Sequence, residues 1–231
     1  MAFTAQDVKA LREKTGVGMM ECKKALVEAD GDMDKAVDFL RERGLAAAAK
    51  KATRIAAEGV VLPYYDAEAK KGVVVEVNSE TDFVAKNEKF MSFVEGVAKT
   101  ILATNPADVE ALKEEKFDGT DRTVTETLND LVLSIGENMK VRRFERMDGI
   151  VSTYIHGGGS VGVMVGFDVA DESKAATAEF DAMGKNVAMQ IAAMSPAYLD
   201  EASVPAEVVE HEKTILAAQM KEDPKMASKP E

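Results

Sequence analysis

With 231 residues, 46% of them hydrophobic, and a net charge of −12, the chain has the composition of an ordinary globular protein of one large or several small domains. The charge excludes a surface built mainly to bind nucleic acid, and the apolar runs are shorter than the roughly 20 residues of a membrane-spanning helix. The N-terminus shows no signal-peptide pattern and the single cysteine, Cys22, cannot form an internal disulfide, so we expect a cytoplasmic protein that binds neither membrane nor nucleic acid.

The charge is unevenly distributed along the chain. Residues 1–54 contain 11 Lys or Arg and 9 Asp or Glu, whereas residues 55–231 contain 18 and 32. An acidic surface of this kind repels phosphate groups. The pattern therefore favours another protein as the partner.

Residues 1–44 are predicted to form a small module of three helices. Thr4 is a typical N-cap for the first helix, and the glycine-containing segment 15–18 separates it from the second. The segment 30–32 ends the second helix and starts the third, which is expected to end at Gly44. A module with so few apolar side chains has a marginal core, and its size suits a binding role.

A connector and a first core subdomain are predicted to follow. Residues 45–57 are rich in Ala and Lys, which favour helix, so we expect a helical connector. Residues 58–140 combine a hairpin rich in Val and Tyr with two helices, whose apolar stripes lie within residues 90–101 and 124–135.

A second core subdomain is predicted over residues 141–203. It starts with a weak strand candidate at residues 141–146. A hairpin follows, with strands at residues 150–156 and 160–169 joined by three glycines, and a helix over residues 173–194 is expected to cover it.

Residues 204–231 are predicted to form a protruding C-terminal helix and a polar tail from residue 223. Two successive units of strands and helices, preceded by a helical module, predict the α+β fold class.

The segment around Ser160 resembles a catalytic motif. Gly158–Gly162 fits the G-x-S-x-G pattern of serine hydrolases, and His156–Gly159 fits their HGGG pattern. In those enzymes the serine lies between a strand and a helix and the second pattern belongs to a separate loop, whereas here the two overlap and a strand pattern follows. A tight turn between two strands is therefore favoured over a hydrolase.

The candidate metal ligands are scattered along the chain. Cys22, His156 and His211 lack the spacing of a metal site, and the sequence contains no phosphate-binding or dinucleotide motif. We therefore expect no metal and no cofactor.

Residues 78–86 form the most informative segment. They leave a strand, pass through a polar turn and enter a helix, with the carboxylate of Asp82 beside the aromatic ring of Phe83. Such a pair suits a wedge directed at a partner. Helical spacing favours the alternative, because Phe83 lies seven residues before Phe90 and would share its core stripe.

The segment 15–20 is also open to two interpretations. Met19 and Met20, next to two glycines, suit an adaptable contact surface. The same residues could instead simply join the first helix to the second.

Taken together, these two segments resemble the elongation factor Ts family. Residues 11–26, LREKTGVGMMECKKAL, are similar to the ubiquitin-associated-type N-terminal module of that family, and residues 78–86 are similar to its second signature. The similarity extends to residue 231, and three further stretches fit the family pattern: Ile135–Asn138, Arg142–Arg143 and Tyr154–Gly157.

The resemblance implies a guanine-nucleotide exchange factor, not an enzyme, whose partner is elongation factor Tu. In the family, a tip of the chain inserts near the magnesium and phosphate site of this GTPase and promotes GDP release, while the N-terminal module and the second subdomain bind other parts of it. Carried over to this sequence, the tip consists of Thr81, Asp82, Phe83, Val84, Ala85 and Lys86, the N-terminal contact of Arg12, Met19 and Met20, and the second-subdomain contact of His156.

Longer members of the family continue beyond the helix that begins near Pro205 with a helical hairpin and a returning strand. This sequence stops at Glu231, so the resemblance predicts a truncated copy or a short member, with an uncovered sheet edge and weaker exchange. A non-catalytic binding module stays open as an alternative function. A homodimer, formed through Cys22 or through the second subdomain, stays open as an assembly.

Overall fold

The computed structural model describes the backbone of residues 3–222. It has the predicted α+β composition and divides into two compact units, one ending at Ala192 and the other starting at Ala193. The polar tail expected from residue 223 lies outside the described residues.

Three helices form the N-terminal module: α1 (Ala5–Thr15), α2 (Met19–Glu28) and α3 (Met33–Lys51). Thr4 and Asp7 form a capping box at the start of α1, and the Asp32 side chain accepts hydrogen bonds from two backbone N–H groups at the start of α3. Their shared core consists of small and aliphatic side chains, among them Leu11, Cys22, Ala25, Leu26, Ala36 and Leu40.

The predicted end of the third helix at Gly44 is wrong, since α3 runs through Gly44 to Lys51. Gly44 is buried where α3 packs against another helix, and a Cβ atom there would make an ordinary contact of 3.4 Å with the backbone oxygen of Asn129. That packing and the four alanines after Leu45 outweigh the cost of about 1 kcal/mol that glycine carries in a helix. The third helix of the module and about half of the predicted connector, residues 45–51, are therefore one helix.

A three-stranded antiparallel sheet forms the centre of the first unit. Its strands are β1 (Glu58–Asp66), β2 (Lys71–Ser79) and β3 (Met139–Asp148), in the order β1-β2-β3. Helices α4 (Asp82–Ala85), α5 (Glu88–Thr104), α6 (Val109–Glu114) and α7 (Val124–Ile135) lie between β2 and β3 in the chain. The main core joins this sheet to α5 and α7 and includes Val73, Val75, Val77, Phe90, Val94, Val97, Ile101 and Val132.

The assignment of residues 141–146 to the second strand group is wrong, because β3 pairs with β2. Met139 and Val141 alternate with the exposed Lys140 and belong to the same core as the valines of β2. Hydrophobic alternation alone does not reveal which strand is the neighbour, so the sequence pattern could not separate the two groups.

A second hairpin, β4 (Ile150–His156) and β5 (Val161–Phe167), packs against β1. The predicted glycine turn at residues 157–159 is confirmed, and all three glycines have positive φ angles. The backbone N–H of Val61 donates to the Gly159 carbonyl over 2.7 Å. A Cβ atom at Gly162 would lie 2.7 Å from a methyl group of Val61, so glycine permits this close approach.

The single helix predicted over residues 173–194 is two helices, α8 (Glu172–Ala175) and α9 (Ala178–Met194). The break occurs because the Thr177 hydroxyl accepts a hydrogen bond from the backbone N–H of Phe180 over 3.3 Å, which starts α9 afresh. Within the first unit, α9 packs on the second hairpin, since a Cβ atom at Gly184 would meet the Ser152 side chain.

The second unit contains a short 3-10 turn, Glu201–Ser203, and helix α10 (Ala206–Glu222). The carbonyl of Pro205 accepts the first helical hydrogen bonds, from Val208 and Val209, so the predicted helix after Pro205 is confirmed.

Candidate functional site

The segment that follows β2 places Phe83 in solvent. The Phe83 side chain is 80% exposed, whereas its neighbour Val84 is 7% exposed and belongs to the main core. The expectation from helical spacing, that Phe83 shares the core stripe of Phe90, is therefore wrong. The reason is that α4 ends at Ala85 and the Asn87 side chain starts α5 anew, so Phe83 and Phe90 do not lie on one continuous helix.

Thr81 is tied to the loop that follows α7. Its backbone N–H donates to one carboxylate oxygen of Glu137 over 3.0 Å, and its hydroxyl donates to the other over 2.8 Å. The Ser79 hydroxyl donates to the Thr81 carbonyl over 2.9 Å. The residue that starts α4 is thus held on both of its backbone polar groups.

A second set of hydrogen bonds joins the same two loops through Glu80 and Asn138, the neighbours of Thr81 and Glu137. The Asn138 backbone N–H donates to the Glu80 carboxylate over 2.5 Å, and the Asn138 side chain donates to the Arg54 carbonyl over 2.8 Å. The Arg54 guanidinium lies 3.4 Å from the same carboxylate. Because Asn138 is buried, these bonds satisfy polar groups that water does not reach.

Asp82 lies at the solvent side of α4 and forms an ion pair with Lys86. The Lys86 ammonium donates to the Asp82 carboxylate over 2.8 Å, one helical turn away. This hydrogen bond and the positive charge of Lys86 lower the pKa of Asp82 below its ordinary value of 3.8. The exposed face of the tip therefore presents an aromatic ring beside an ionised carboxylate.

The loop at residues 15–20 also exposes its methionines. Met19 is 44% and Met20 is 64% exposed, and Arg12 lies in solvent on the last turn of α1. Val17 is buried and fixes the loop to the core of the module. Val17 therefore joins the two helices, as the second interpretation expects, while the contact surface at the exposed methionines stays a prediction.

The structure brings the N-terminal loop and the tip to one junction, formed by the start of α5 and the end of α7. The Gly16 carbonyl accepts a hydrogen bond from Lys89, in the first turn of α5, over 3.0 Å and from Ser134, in the last turn of α7, over 3.1 Å. Lys89 lies three residues after the tip, and Ser134 three residues before Glu137. A groove of about 510 Å³ lies beside this junction, with Phe93, Phe117 and Leu131 among its lining residues.

His156 lies apart from these two segments. It ends β4, and its ring nitrogen Nδ1 is 3.1 Å from the Tyr154 hydroxyl. Within residues 3–222, His156 shares no hydrogen bond with the tip or with the N-terminal loop. It is exposed, as a partner contact requires.

Ser160 does not have the surroundings of a hydrolase nucleophile. Its hydroxyl donates to the backbone carbonyl of His156 over 3.2 Å, and the strand β5 follows it directly. The serine is therefore part of the glycine turn. Within the described part of the chain, no cluster of three or more His, Cys, Asp or Glu side chains has the arrangement of a metal site.

Between residues 3 and 222, none of the helices combines the length and apolar character needed to cross a membrane.

Cys22 is fully buried, and burial raises the pKa of its thiol. This conformation therefore does not present Cys22 to a second copy of the chain.

Glu76 is a buried carboxylate on β2 that pairs with two arginines of β3. A β-bulge between Glu76 and Val77 places two successive arginines on the same side of β3. Arg142 and Arg143 each donate to the carboxylate over 2.7 Å, and Asn78 donates over 3.2 Å. Burial pushes the pKa of Glu76 upward, but these hydrogen bonds outweigh it and hold the pKa below its ordinary value of 4.5.

Sequence reasoning missed the residues that hold the tip in place. Glu137 and Asn138 belong to a stretch that fits the family pattern, but nothing in their spacing indicates contact with Thr81 or Glu80, 56 and 58 residues earlier. The available signal was the pair of polar side chains that follows Gly136, whose φ of 92° ends α7.

The comparisons with known proteins agree on one family. The family model described as "Elongation factor TS" matches residues 80–231. A protein of Clostridium perfringens named "Elongation factor Ts" is 54% identical over 220 residues, which are 94% of this chain and 71% of that protein. Proteins of the same name from Syntrophotalea carbinolica and Clostridium novyi are 52% and 50% identical, with the same coverage of both chains.

Proposed function

The chain belongs to the elongation factor Ts family of bacterial translation elongation factors, and from this premise we propose that it binds elongation factor Tu in the cytoplasm and promotes the exchange of GDP for GTP. Helices α1 to α3 would form its contact module, and the three-stranded sheet with α5 and α7 and the second hairpin with α9 its two core subdomains. It acts as an exchange factor on a GTPase and performs no bond chemistry of its own.

The exposed Phe83 is the observation that supports this proposal most. A solvent-exposed aromatic ring on a short helix gains nothing from the fold of its own chain, but it suits insertion into a pocket of a partner. Asp82 lies beside it, ionised at neutral pH. The tip, residues 81–86, can thus deliver an apolar wedge and a negative charge together.

Such a tip can release GDP without touching it. GTPases bind the phosphates of GDP through backbone N–H groups, a lysine and Mg²⁺, and small displacements of these groups weaken binding strongly. We infer that Phe83 displaces the surrounding loops while Asp82 competes for polar groups near the magnesium. By linkage, GDP must weaken the binding of the factor to the GTPase by the same ratio, so the factor is released again when nucleotide rebinds.

The contacts outside the tip would serve mainly to hold the partner and so set the affinity of the complex. Arg12, Met19 and Met20 are exposed side chains of the N-terminal module, which would bind the nucleotide domain of the partner. His156, on the second hairpin, would contact another part of it. Substitution of these residues is expected to weaken binding more than it slows GDP release from the bound complex.

Stopped-flow release of a fluorescent GDP from purified elongation factor Tu tests the proposal. The chain should accelerate release, and Phe83→Ala and Asp82→Ala should each reduce that acceleration. Leu45→Ala, which removes an exposed apolar side chain outside every proposed contact, is the matched control and should release GDP at the wild-type rate. Tip variants as active as the control would disprove the tip model, and a chain that does not accelerate release would disprove the function.

A binding measurement separates this function from that of a simple binding module. An exchange factor must bind its GTPase more weakly when GDP is in excess, because the two ligands oppose each other. Isothermal titration with elongation factor Tu, with and without excess GDP, should therefore give different affinities. Equal affinities would favour the binding module. A homodimer through the second subdomain remains an expectation that size-exclusion chromatography can test.

A further inference from the structure

Glu137 holds the start of the tip from a distant part of the chain. It lies 56 residues after Thr81, and each of its carboxylate oxygens accepts one hydrogen bond from that residue, over 3.0 and 2.8 Å. Hydrogen bonds to a charged acceptor are stronger than those between neutral groups. Two of them, to the backbone and to the side chain of one residue, fix both its position and its rotamer.

The use of the Thr81 hydroxyl distinguishes this contact from ordinary helix capping. A threonine at the first position of a helix usually accepts a hydrogen bond from a backbone N–H of the first turn, as Thr123 does for α7 over 3.1 Å. The Thr81 hydroxyl instead donates to Glu137 and, within the described residues, leaves α4 without a side-chain cap. Thr81 therefore connects α4 to the core rather than stabilising the helix locally.

Helix α4 depends on such a connection. It has four residues, far fewer than an isolated helix needs in water, and Val84 is its buried side chain. The exposed Phe83 and Asp82 add no packing to it. Its orientation is therefore set by the residues at its ends, of which Thr81 is the first.

Glu137 is itself held in place. Gly136 ends α7 with a left-handed backbone conformation, and Asn138 is buried and bonded to Glu80 and Arg54. The backbone of Glu137 is thus fixed by the residue before it and by the residue after it. A side chain on a fixed backbone can position another group as accurately as a functional contact needs.

We propose that Glu137 is the positioning residue of the tip: by binding both polar groups of Thr81, it keeps Phe83 and Asp82 in the orientation in which they act on the GTPase. This inference rests on the proposed function and names a residue outside the tip through which that function is controlled. Glu137 acts through Thr81 and need not touch the partner. Its loss should slow the step that follows binding and leave the contacts of the N-terminal module intact.

Glu137→Gln tests the proposal against a matched control, Glu126→Gln. Glu126 lies at the opposite end of α7, where one carboxylate oxygen accepts from the backbone N–H of Thr123 over 3.0 Å and the other binds the Arg41 guanidinium. It is thus a carboxylate that accepts two hydrogen bonds, as Glu137 does, but neither comes from the tip. Glutamine keeps the size of the side chain and replaces one acceptor oxygen by a donor. Both variants should lose comparable stability in thermal unfolding.

The release of GDP from elongation factor Tu is then measured over a range of factor concentrations. Glu137→Gln should lower the maximal release rate roughly tenfold, the effect expected from losing one hydrogen bond to a charged group, and change the half-saturating concentration little. Glu126→Gln should keep the wild-type maximal rate. The proposal would be overturned if the two variants lowered the maximal release rate equally, or if Glu137→Gln changed only the half-saturating concentration.

A double variant tests whether Glu137 acts through the tip. In the Phe83→Ala background, Glu137→Gln should cause little further loss, because the wedge that it positions is already absent. Losses that multiply would show that Glu137 acts elsewhere, and the proposal would fail.

Hydrogen exchange of the free protein gives a measurement that does not depend on the GTPase. The amides of residues 83–86 should exchange faster in Glu137→Gln than in wild type, and at the wild-type rate in Glu126→Gln. If the wild-type chain fails to accelerate GDP release, the proposed function is wrong, and this measurement alone decides whether Glu137 orders the tip. Unchanged exchange of these amides would refute the positioning role even in an active protein.

Discussion

Gly16 and Ser134, 118 residues apart in the chain, are joined by a hydrogen bond of 3.1 Å from the serine hydroxyl to the glycine carbonyl. Lys89 donates to the same carbonyl. Because Glu137 lies three residues after Ser134 and binds Thr81, the end of α7 supports the N-terminal loop on one side and the tip on the other. The two segments assigned to partner contact therefore have a fixed spacing within one compact unit.

Removing the side chains that hold the Gly16 carbonyl should loosen the N-terminal loop. The double variant Lys89→Ala and Ser134→Ala leaves this exposed carbonyl to water, so we expect a loss of stability of about 1 kcal/mol or less. Affinity for elongation factor Tu should fall severalfold, because the loop must then be ordered on binding. Isothermal titration measures this. Lys113→Ala, which removes an exposed ion pair on α6, should leave affinity unchanged.

Phe83 and Val84, adjacent in the chain, should respond to alanine substitution in opposite ways. Phe83→Ala removes an exposed ring and should change the free energy of unfolding by no more than about 0.5 kcal/mol, while impairing GDP release. Val84→Ala removes buried methyl groups and should cost roughly 1–3 kcal/mol. Urea unfolding monitored by circular dichroism gives both values. A Phe83→Ala variant that is strongly destabilised would show that the ring is packed against its own chain.

The contrast between these two residues shows what the sequence could predict. The stripes of α5 and α7, the glycine turn before β5 and the caps at Thr4 and Asp32 depend on neighbours within a few residues, and their pattern was sufficient. The environment of Phe83 depends on whether one helix or two runs from residue 82 to 104, and spacing alone favoured one.

Contacts between distant parts of the chain could not be predicted from the local sequence pattern. The pairing of β3 with β2 and the passage of α3 through Gly44 are decided by packing against residues far along the chain. The same holds for Glu137, whose role depends on its distance from Thr81 in space. The resemblance to a known family predicted which residues form the tip, but it carried no information about the residues that hold them.

Lys86→Gln should raise the pKa of Asp82 toward its ordinary value. In the wild-type chain the hydrogen bond and charge of Lys86 lower that pKa, so the pair contributes to stability at pH values above 3.8 and loses that contribution as the pH falls through the lowered pKa. Both side chains are exposed, so the effect on unfolding at neutral pH should be too small to measure. Carboxyl resonances followed by NMR between pH 2 and about 6 would show the shift. An unchanged titration of Asp82 would show that the ion pair does not persist in solution.

Gly96→Ala on α5 should destabilise the protein although alanine is the better helix former. A Cβ atom at this position would lie 2.1 Å from the ring of Phe117, which stacks on Phe93 with ring centres 5.5 Å apart. The overpacking should cost roughly 1–3 kcal/mol against a gain in helix propensity of about 1 kcal/mol. Thermal unfolding should show the difference, with Lys99→Ala on the exposed face of the same helix as control. A Gly96→Ala variant as stable as the control would mean that Phe117 can move aside without loss.

Removing both arginines that bind Glu76 should reverse how the stability contributed by that residue depends on pH. In the wild-type chain, hydrogen bonds from Arg142 and Arg143 keep the pKa of Glu76 below 4.5 despite burial, so its contribution to stability is full above that pH and is lost as the pH falls through the lowered pKa. With both arginines changed to alanine, burial would dominate and raise the pKa above 4.5, so the ionised carboxylate would destabilise the fold at neutral pH.

The expected loss at pH 7 is roughly 1–3 kcal/mol, near the lower end because both guanidinium groups are in contact with water and their charge is screened. The loss should become smaller as the pH falls through the raised pKa, since protonation removes the buried charge. Urea unfolding at pH 7 and at about pH 5 compares the two conditions. Replacing Glu76 by glutamine as well should recover part of the stability at pH 7. A double arginine variant whose loss is the same at both pH values, or is not relieved by glutamine, would show that the arginines stabilise the sheet by packing along β3 and not by their charge.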